Sequence, residues 1–184
     1  MAESADTSAS AASNGDGSLP PAASGGSAMD SGVTAGGGWQ GRVDFYILED
    51  AGGSARLKLA CKLAEKAYLS AQTALVWHTD PEELRVFDEM LWTFNDGSFV
   101  PHEPLPGNGS LSEAPVLLSA GVALSANVDI IINLAADLPP CLSRTPRVAE
   151  IIDGDDTRRR AGRARFKAYR DLGVQPASHN IRGD

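Results

Sequence analysis

With 184 residues and a formal charge of −8, from 16 Lys and Arg against 24 Asp and Glu, the chain suits one well-buried core and is too acidic to coat nucleic acid with its whole surface. Cys61 and Cys141 stand far apart with no Cys-x-x-Cys spacing, which argues against a disulfide framework or a zinc site. No stretch approaches the roughly 20 apolar residues of a membrane span, and a secretory signal is not recognisable, so the expected compartment is the cytoplasm.

Residues 1–38 are almost entirely Ala, Ser, Gly, Asp, Pro and Thr, carry four acids and no base, and hold no aromatic side chain to seed a core. They are expected to form a disordered low-complexity tail. From Trp39 the composition changes. Val43–Leu48 is β-branched and aromatic and predicts a strand, followed by the turn signal Ala51-Gly52-Gly53-Ser54. Ser54 is a candidate cap for a first helix over about 54–71, because Leu57, Ala60, Cys61, Ala64 and Tyr68 recur at helical spacing. Thr73–Trp77 is apolar at consecutive positions, as in a strand covered on both faces. Pro81 opens a second helix carrying Leu84, Phe87, Asp88, Leu91 and Trp92.

The region 95–113, rich in Gly, Pro and Asn, is expected to be loop. Short strands are expected at 115–119, at 129–134 (Asp-Ile-Ile-Ile-Asn-Leu) and at 148–152. Asp153-Gly154-Asp155-Asp156 then precedes a last helix over about 156–172, where acids favour the positive end of the helix dipole. Gly173 is placed to end it in the left-handed conformation. Strands alternating with helices predict an α/β fold, with a mostly parallel sheet and helices on both faces, in one domain over 39–174; residues 175–184 are left as a short C-terminal tail.

The glycine turn after the first strand invites a phosphate-binding reading, yet neither G-x-G-x-x-G nor G-x-x-x-x-G-K-[ST] is present. His78, His102 and His179 have no metal-ligand spacing, and no serine sits in a G-x-S-x-G elbow. A site could still assemble from distant positions, for example His78 with Asp80 at a strand end, against the plainer alternative of a polar strand terminus. No catalytic residue, metal or cofactor is therefore expected.

The last helix is the most informative segment. Arg158, Arg159, Arg160, Arg163, Arg165, Lys167 and Arg170 place seven of the 16 bases within 13 residues, with no acid among them. Arg159, Arg163, Lys167 and Arg170 fall on one stripe, with Phe166 and Tyr169 alongside. Fixed positive charge beside apolar surface suits a nucleic-acid backbone or an acidic peptide with an aromatic anchor; a merely solvated face is the alternative. A second feature is the aromatic group of Trp92, Phe94 and Phe99, for which core packing and an exposed interface both stay open.

Several stretches together resemble the chi subunit family of DNA polymerase III. They are Phe45-Tyr46, Asp88-Glu89-Met90-Leu91-Trp92, Ser98-Phe99-Val100-Pro101-His102, residues 129–134, and Arg163-Ala164-Arg165-Phe166-Lys167-Ala168-Tyr169-Arg170-Asp171-Leu172-Gly173, in matching order from about 42 to 174. The resemblance implies a Rossmann-like sheet without a nucleotide site and a non-catalytic accessory role in the clamp-loader complex. It also implies two interfaces. The acidic C-terminal peptide of single-stranded DNA-binding protein would meet Arg159, Arg163, Lys167 and Arg170, with Phe166, Tyr169 and Ile152 as apolar partners. The psi subunit, or a helicase-like competitor, would meet Trp92 and Phe99. DNA would be reached indirectly, through the complex. Phe166 departs from the family pattern, in which a tyrosine is familiar at that position.

Overall fold

Alternate residues of a strand point to opposite faces of a sheet, and the buried side chains of this protein sort into two cores on that rule. The computed structural model describes residues 39–49, 52–95, 97 and 99–182; the tail expected over residues 1–38 lies outside them. The elements are β1 (Arg42–Leu48), α1 (Gly53–Leu69), β2 (Ala74–His78), α2 (Pro81–Thr93), β3 (His102–Pro104), β4 (Val116–Ala120), β5 (Ile130–Asn133), β6 (Arg147–Ile152), α3 (Asp156–Asp171) and β7 (Ala177–Ile181), with a 3-10 turn at Leu142–Arg144. The strands form one sheet of seven in the order β3-β4-β2-β5-β6-β1-β7, and every pairing is parallel.

On one face Val76, Val116, Leu118, Ile130, Ile132, Ala149 and Ile151 pack against Ala60, Cys61 and Ala64 of α1 and Leu84, Phe87 and Leu91 of α2. On the other, Val43, Phe45, Leu75, Trp77, Leu117, Ile131, Val148 and Ile152 pack against Tyr169 and Phe166 of α3 and against loop residues such as Leu124, Val128 and Cys141. The fold is α/β and Rossmann-like, with helices on both faces of a parallel sheet. Leu75, Val76, Ile131 and Ile132 are fully buried, as consecutive apolar residues in a doubly covered strand must be.

Three expectations are corrected. Helix α1 starts one residue earlier than expected, with Gly52 at the cap position and no side-chain capping bond, so Ser54 lies inside the first turn instead of flanking it. The region 95–113 is not all loop: His102–Pro104 pairs with Val116–Leu118 as the outermost strand on one side. Residues 175–184 are not merely a tail, because β7 pairs with β1 from Asp44↔Ala177 to Leu48↔Ile181. Main-chain bonding to β1 recruits a segment whose side chains gave no strand signal.

A buried carboxylate ties this side of the sheet together. Asp44 is fully buried and accepts from Arg42 Nε (3.0 Å) and Nη2 (2.8 Å) and from Arg147 Nε (3.1 Å), with His179 Nε2 of β7 at 2.9 Å. Tyr46 stacks on His179 at 5.3 Å between ring centroids. Burial alone would raise the pKa of Asp44, but the bonds from Arg42 and His179 and the charges of Arg147 and Arg42 outweigh it and hold the carboxyl below its ordinary value. A depressed folded-state pKa stabilises the fold above the ordinary carboxylate range of about 4, and that stability is lost as pH falls through the folded value. Asp44→Asn is accordingly expected to flatten the acid limb of a stability-versus-pH curve measured by urea denaturation; an unchanged limb would show that other carboxylates control it.

Candidate functional site

Helix α3 is fixed at both ends by local chemistry. Asp155 caps its N-terminus by accepting from Arg158 N at 2.9 Å, and Gly173, at φ +85°, ends it in the left-handed region that glycine tolerates. Its inner face carries Gly162, Arg165 and Tyr169, all buried. Glu150 of β6, fully buried beneath it, accepts from Arg165 Nε (2.8 Å), Tyr169 Oη (2.8 Å) and Asn133 Nδ2 (2.9 Å). Arg165 Nη1 donates in addition to the carbonyl of Ala136 at 2.7 Å. Burial, and then the neighbouring Glu150 charge, push the Tyr169 phenol well above its ordinary pKa, so it stays a donor.

This network changes the reading of two residues. Tyr169, expected as an apolar partner of the peptide, is completely buried; it packs beneath the concavity and offers no contact surface. Arg165 belongs to the core for the same reason, since positions 162, 165 and 169 share the inward face. Arg158 is also consumed locally, donating from Nε to Asp153 Oδ1 at 2.8 Å. Arg159, Arg160, Arg163, Lys167 and Arg170 form no ion pair among the described residues.

Four of the candidate residues meet at one concavity. Ile152, Arg159, Arg163 and Phe166 line a depression of about 300 Å³ together with Phe45 and Ile47 of β1, Gly162 and Ser178 of β7. The floor is apolar, two guanidinium groups stand at its rim, and Phe166 is held by Phe45 at 5.2 Å between ring centroids. Gly162 matters here: a Cβ at this position would lie 2.1 Å from Ile152 Cδ1, so glycine lets α3 approach β6 and leaves room for the Ile152 side chain beneath it. Lys167 and Arg170 line an adjoining hollow of about 380 Å³ that shares Arg163 and Phe166 with the first. From Arg159 to Arg170 this unpaired cationic face runs about 16 Å along the helix. Phe45, Ile47, Gly162 and Ser178 are not among the expected site residues; the glycine in the interior of a basic helix is the available signal.

The aromatic feature of α2 resolves to the surface. Trp92 is 54% exposed and Phe99 61% exposed, their rings 5.3 Å apart, because Leu84, Phe87 and Leu91 already fill the inward stripe of the helix. Beneath them His102 is buried, with Nδ1 2.8 Å from the carbonyl of Val100, Nε2 3.1 Å from Asp88 Oδ1 and its ring 4.7 Å from Trp92. At the strand end His78 Nδ1 accepts from Asp80 N at 2.8 Å, and its Nε2 lies 3.5 Å from Glu83; burial lowers its pKa against the pull of Glu83. Among the described residues no group of three His, Cys, Asp or Glu is arranged to hold a metal, and no helix is long and apolar enough to cross a membrane.

Comparison with known proteins gives this geometry a family. Residues 41–177 match the family model described as DNA polymerase III chi subunit, HolC. The chain belongs to the DNA polymerase III chi subunit family. The DNA polymerase III subunit chi of Pseudomonas aeruginosa is 34% identical over 140 residues, covering 76% of this chain and 96% of that protein. The subunit chi of Escherichia coli K12 is 31% identical over 134 residues, covering 70% of this chain and 90% of its own, and that of Haemophilus influenzae is 26% identical over 140 residues, covering 76% and 96%. Family membership implies an accessory role in replication by DNA polymerase III. Apart from Ser178, the lining of the concavity lies within the matched span, as do Trp92 and Phe99.

Proposed function

We propose that this chain is a non-catalytic, cytoplasmic accessory subunit of the DNA polymerase III clamp-loader complex, joining the replicase to single-stranded DNA-binding protein. The α3 concavity receives the acidic C-terminal peptide of that protein: a terminal aromatic ring enters the apolar floor, and Arg159 and Arg163 pair with its carboxylates. Lys167 and Arg170 extend the cationic track for acids further along the peptide. The observation that supports this most is the combination of unpaired rim guanidiniums with an apolar pocket in a chain of net charge −8. Charge-assisted bonds give such a contact direction and salt sensitivity. A weak contact suffices because the partner is multivalent on coated single strands. The exposed pair Trp92 and Phe99 is the second interface, for the psi subunit or a helicase-like protein competing with it, since large aromatics anchor interfaces at low ordering cost. DNA is then contacted through the complex.

Fluorescence anisotropy of a short acidic peptide ending in Phe tests the first interface. Binding is expected to weaken with salt and when the terminal carboxylate is amidated. A labelled single-stranded oligonucleotide retained at low salt, with the peptide ignored, would instead assign the basic face to direct DNA binding. For the second interface, Trp92→Ala is expected to abolish co-purification with the psi subunit while leaving peptide binding intact.

A further inference from the structure

We infer that the outer edge of β7 is a strand-addition site, and that the peptide held in the α3 concavity continues beside β7 as an added strand. This rests on the peptide-binding reading above and specifies the bound main-chain conformation.

The two edges of the sheet are treated differently. Edge strand β3 is three residues long, contains Glu103 and ends in Pro104, so it is short, charged and interrupted, as protected edges are. Edge strand β7 has five residues, Ala-Ser-His-Asn-Ile, with no proline, no lysine and no carboxylate, and no described strand lies outside it. Its one titratable side chain, His179, is turned onto Tyr46 and Asp44 on the α1–α2 face and does not guard the edge. Among the described residues no strand pairs with the main-chain groups on its outer side, which are the kind of edge a partner strand can join.

The concavity adjoins this edge. Phe45 pairs with Ser178 and Ile47 with Asn180, so Ser178 and Asn180 share the α3 face with the pocket floor, and Ser178 forms part of its wall. Helix α3 packs over β6, and Ser178 and Asn180 of β7 are exposed on this face. A strand added about 4.8 Å outside β7 could lay a large aromatic side chain over the small Ser178 into the concavity. The unpaired Arg159 and Arg163 select an acidic chain for the position. Main-chain bonds then supply affinity and the pocket supplies side-chain specificity, as in other strand-addition complexes.

The experiment is an N-methyl scan of the acidic Phe-ended peptide, methylating one backbone amide at a time and titrating each against the full chain by anisotropy. Alternate positions are expected to lose about three- to tenfold in affinity, with the intervening ones nearly unchanged, because only every second amide of a strand faces the neighbour. Amide exchange across Ala177–Ile181 should slow on addition of the unmethylated peptide. If every methylated peptide binds within twofold of the parent while Arg163→Ala still weakens binding, strand addition is wrong and the pocket reading survives. If the parent peptide fails to bind folded protein, both fall. A dimer in sedimentation whose β7 amides are protected without peptide would assign the edge to a second copy of the chain.

Discussion

Glu150→Ala is expected to destabilise the protein by about 3–5 kcal/mol, the cost typical of breaking a buried ion pair from one side. At the 2–4 °C per kcal/mol usual for chains of this size, the thermal midpoint should drop by roughly 10 °C. The reason is the company the carboxylate keeps. Arg165 is 5% exposed and would be left without its carboxylate, the Tyr169 hydroxyl would lose its acceptor, and Asn133 Nδ2 would keep only its bond to the carbonyl of Asp137 while its Oδ1 still accepts from Ala135 N. Water has little access to compensate any of them. Tyr169→Phe removes a single neutral donor and should cost only about 1 kcal/mol. The double variant Glu150→Leu with Arg165→Met replaces the pair by apolar side chains of similar volume and should recover most of the loss, since buried ion pairs return little more than their desolvation cost. Urea denaturation of the four proteins separates these outcomes. A loss below about 1 kcal/mol for Glu150→Ala would mean that Arg165 finds another partner or reaches solvent.

The same network bears on the peptide site proposed for α3. A helix with bases at i and i+4 on its outer face repels itself, and its outward stripe contributes little burial. Its position is set from beneath, by Glu150, Tyr169 and the close approach at Gly162, so Arg159 and Arg163 are presented from a fixed backbone. Peptide affinity should therefore fall in Glu150→Ala even under conditions where that variant remains folded.

The core strands were legible because their chemistry is local. Residues 74–77 and 130–132 are apolar at consecutive positions, and the sheet buries them on both faces. Strand β3 was hidden by Pro101, Glu103 and Pro104, and β7 by Ser178, His179 and Asn180; both are edge strands held by main-chain bonds to one neighbour, and such bonds leave no mark in side-chain pattern. The basic face of α3 was legible as a run of charge, but its division into ion-paired and unpaired cations was not. Arg158 and Arg165 are neutralised by Asp153 and Glu150, acids that belong to β6 and the turn after it. The helical period does carry part of the answer, since 162, 165 and 169 fall on one side. The floor of the concavity was out of reach for a different reason: Phe45 and Ile47 come from β1 and Ser178 from β7, segments that the β1–β6 and β1–β7 pairings bring beside α3.

Arg163→Ala is expected to weaken the acidic peptide about 10- to 100-fold, corresponding to the roughly 1.5–3 kcal/mol of a hydrogen bond to a charged group. Arg159→Ala should behave similarly, although Arg159 Nε also donates to the carbonyl of Asp153 at 3.2 Å and part of its loss will be local. Arg160→Ala is the decisive control. It removes the same formal charge from the same helix, but Arg160 is exposed and does not line the concavity. If the interaction were only a field from a basic helix, all three substitutions would cost alike and the differences would vanish at high salt. Specific pairing at the pocket rim predicts instead that Arg160→Ala changes affinity by no more than about two- to threefold, the scale of an exposed charge interaction. Anisotropy titrations at two salt concentrations distinguish the cases. Amidation of the terminal carboxylate should reduce binding to the parent protein and have a much smaller effect on Arg163→Ala, because the group it removes and the group the substitution removes are partners.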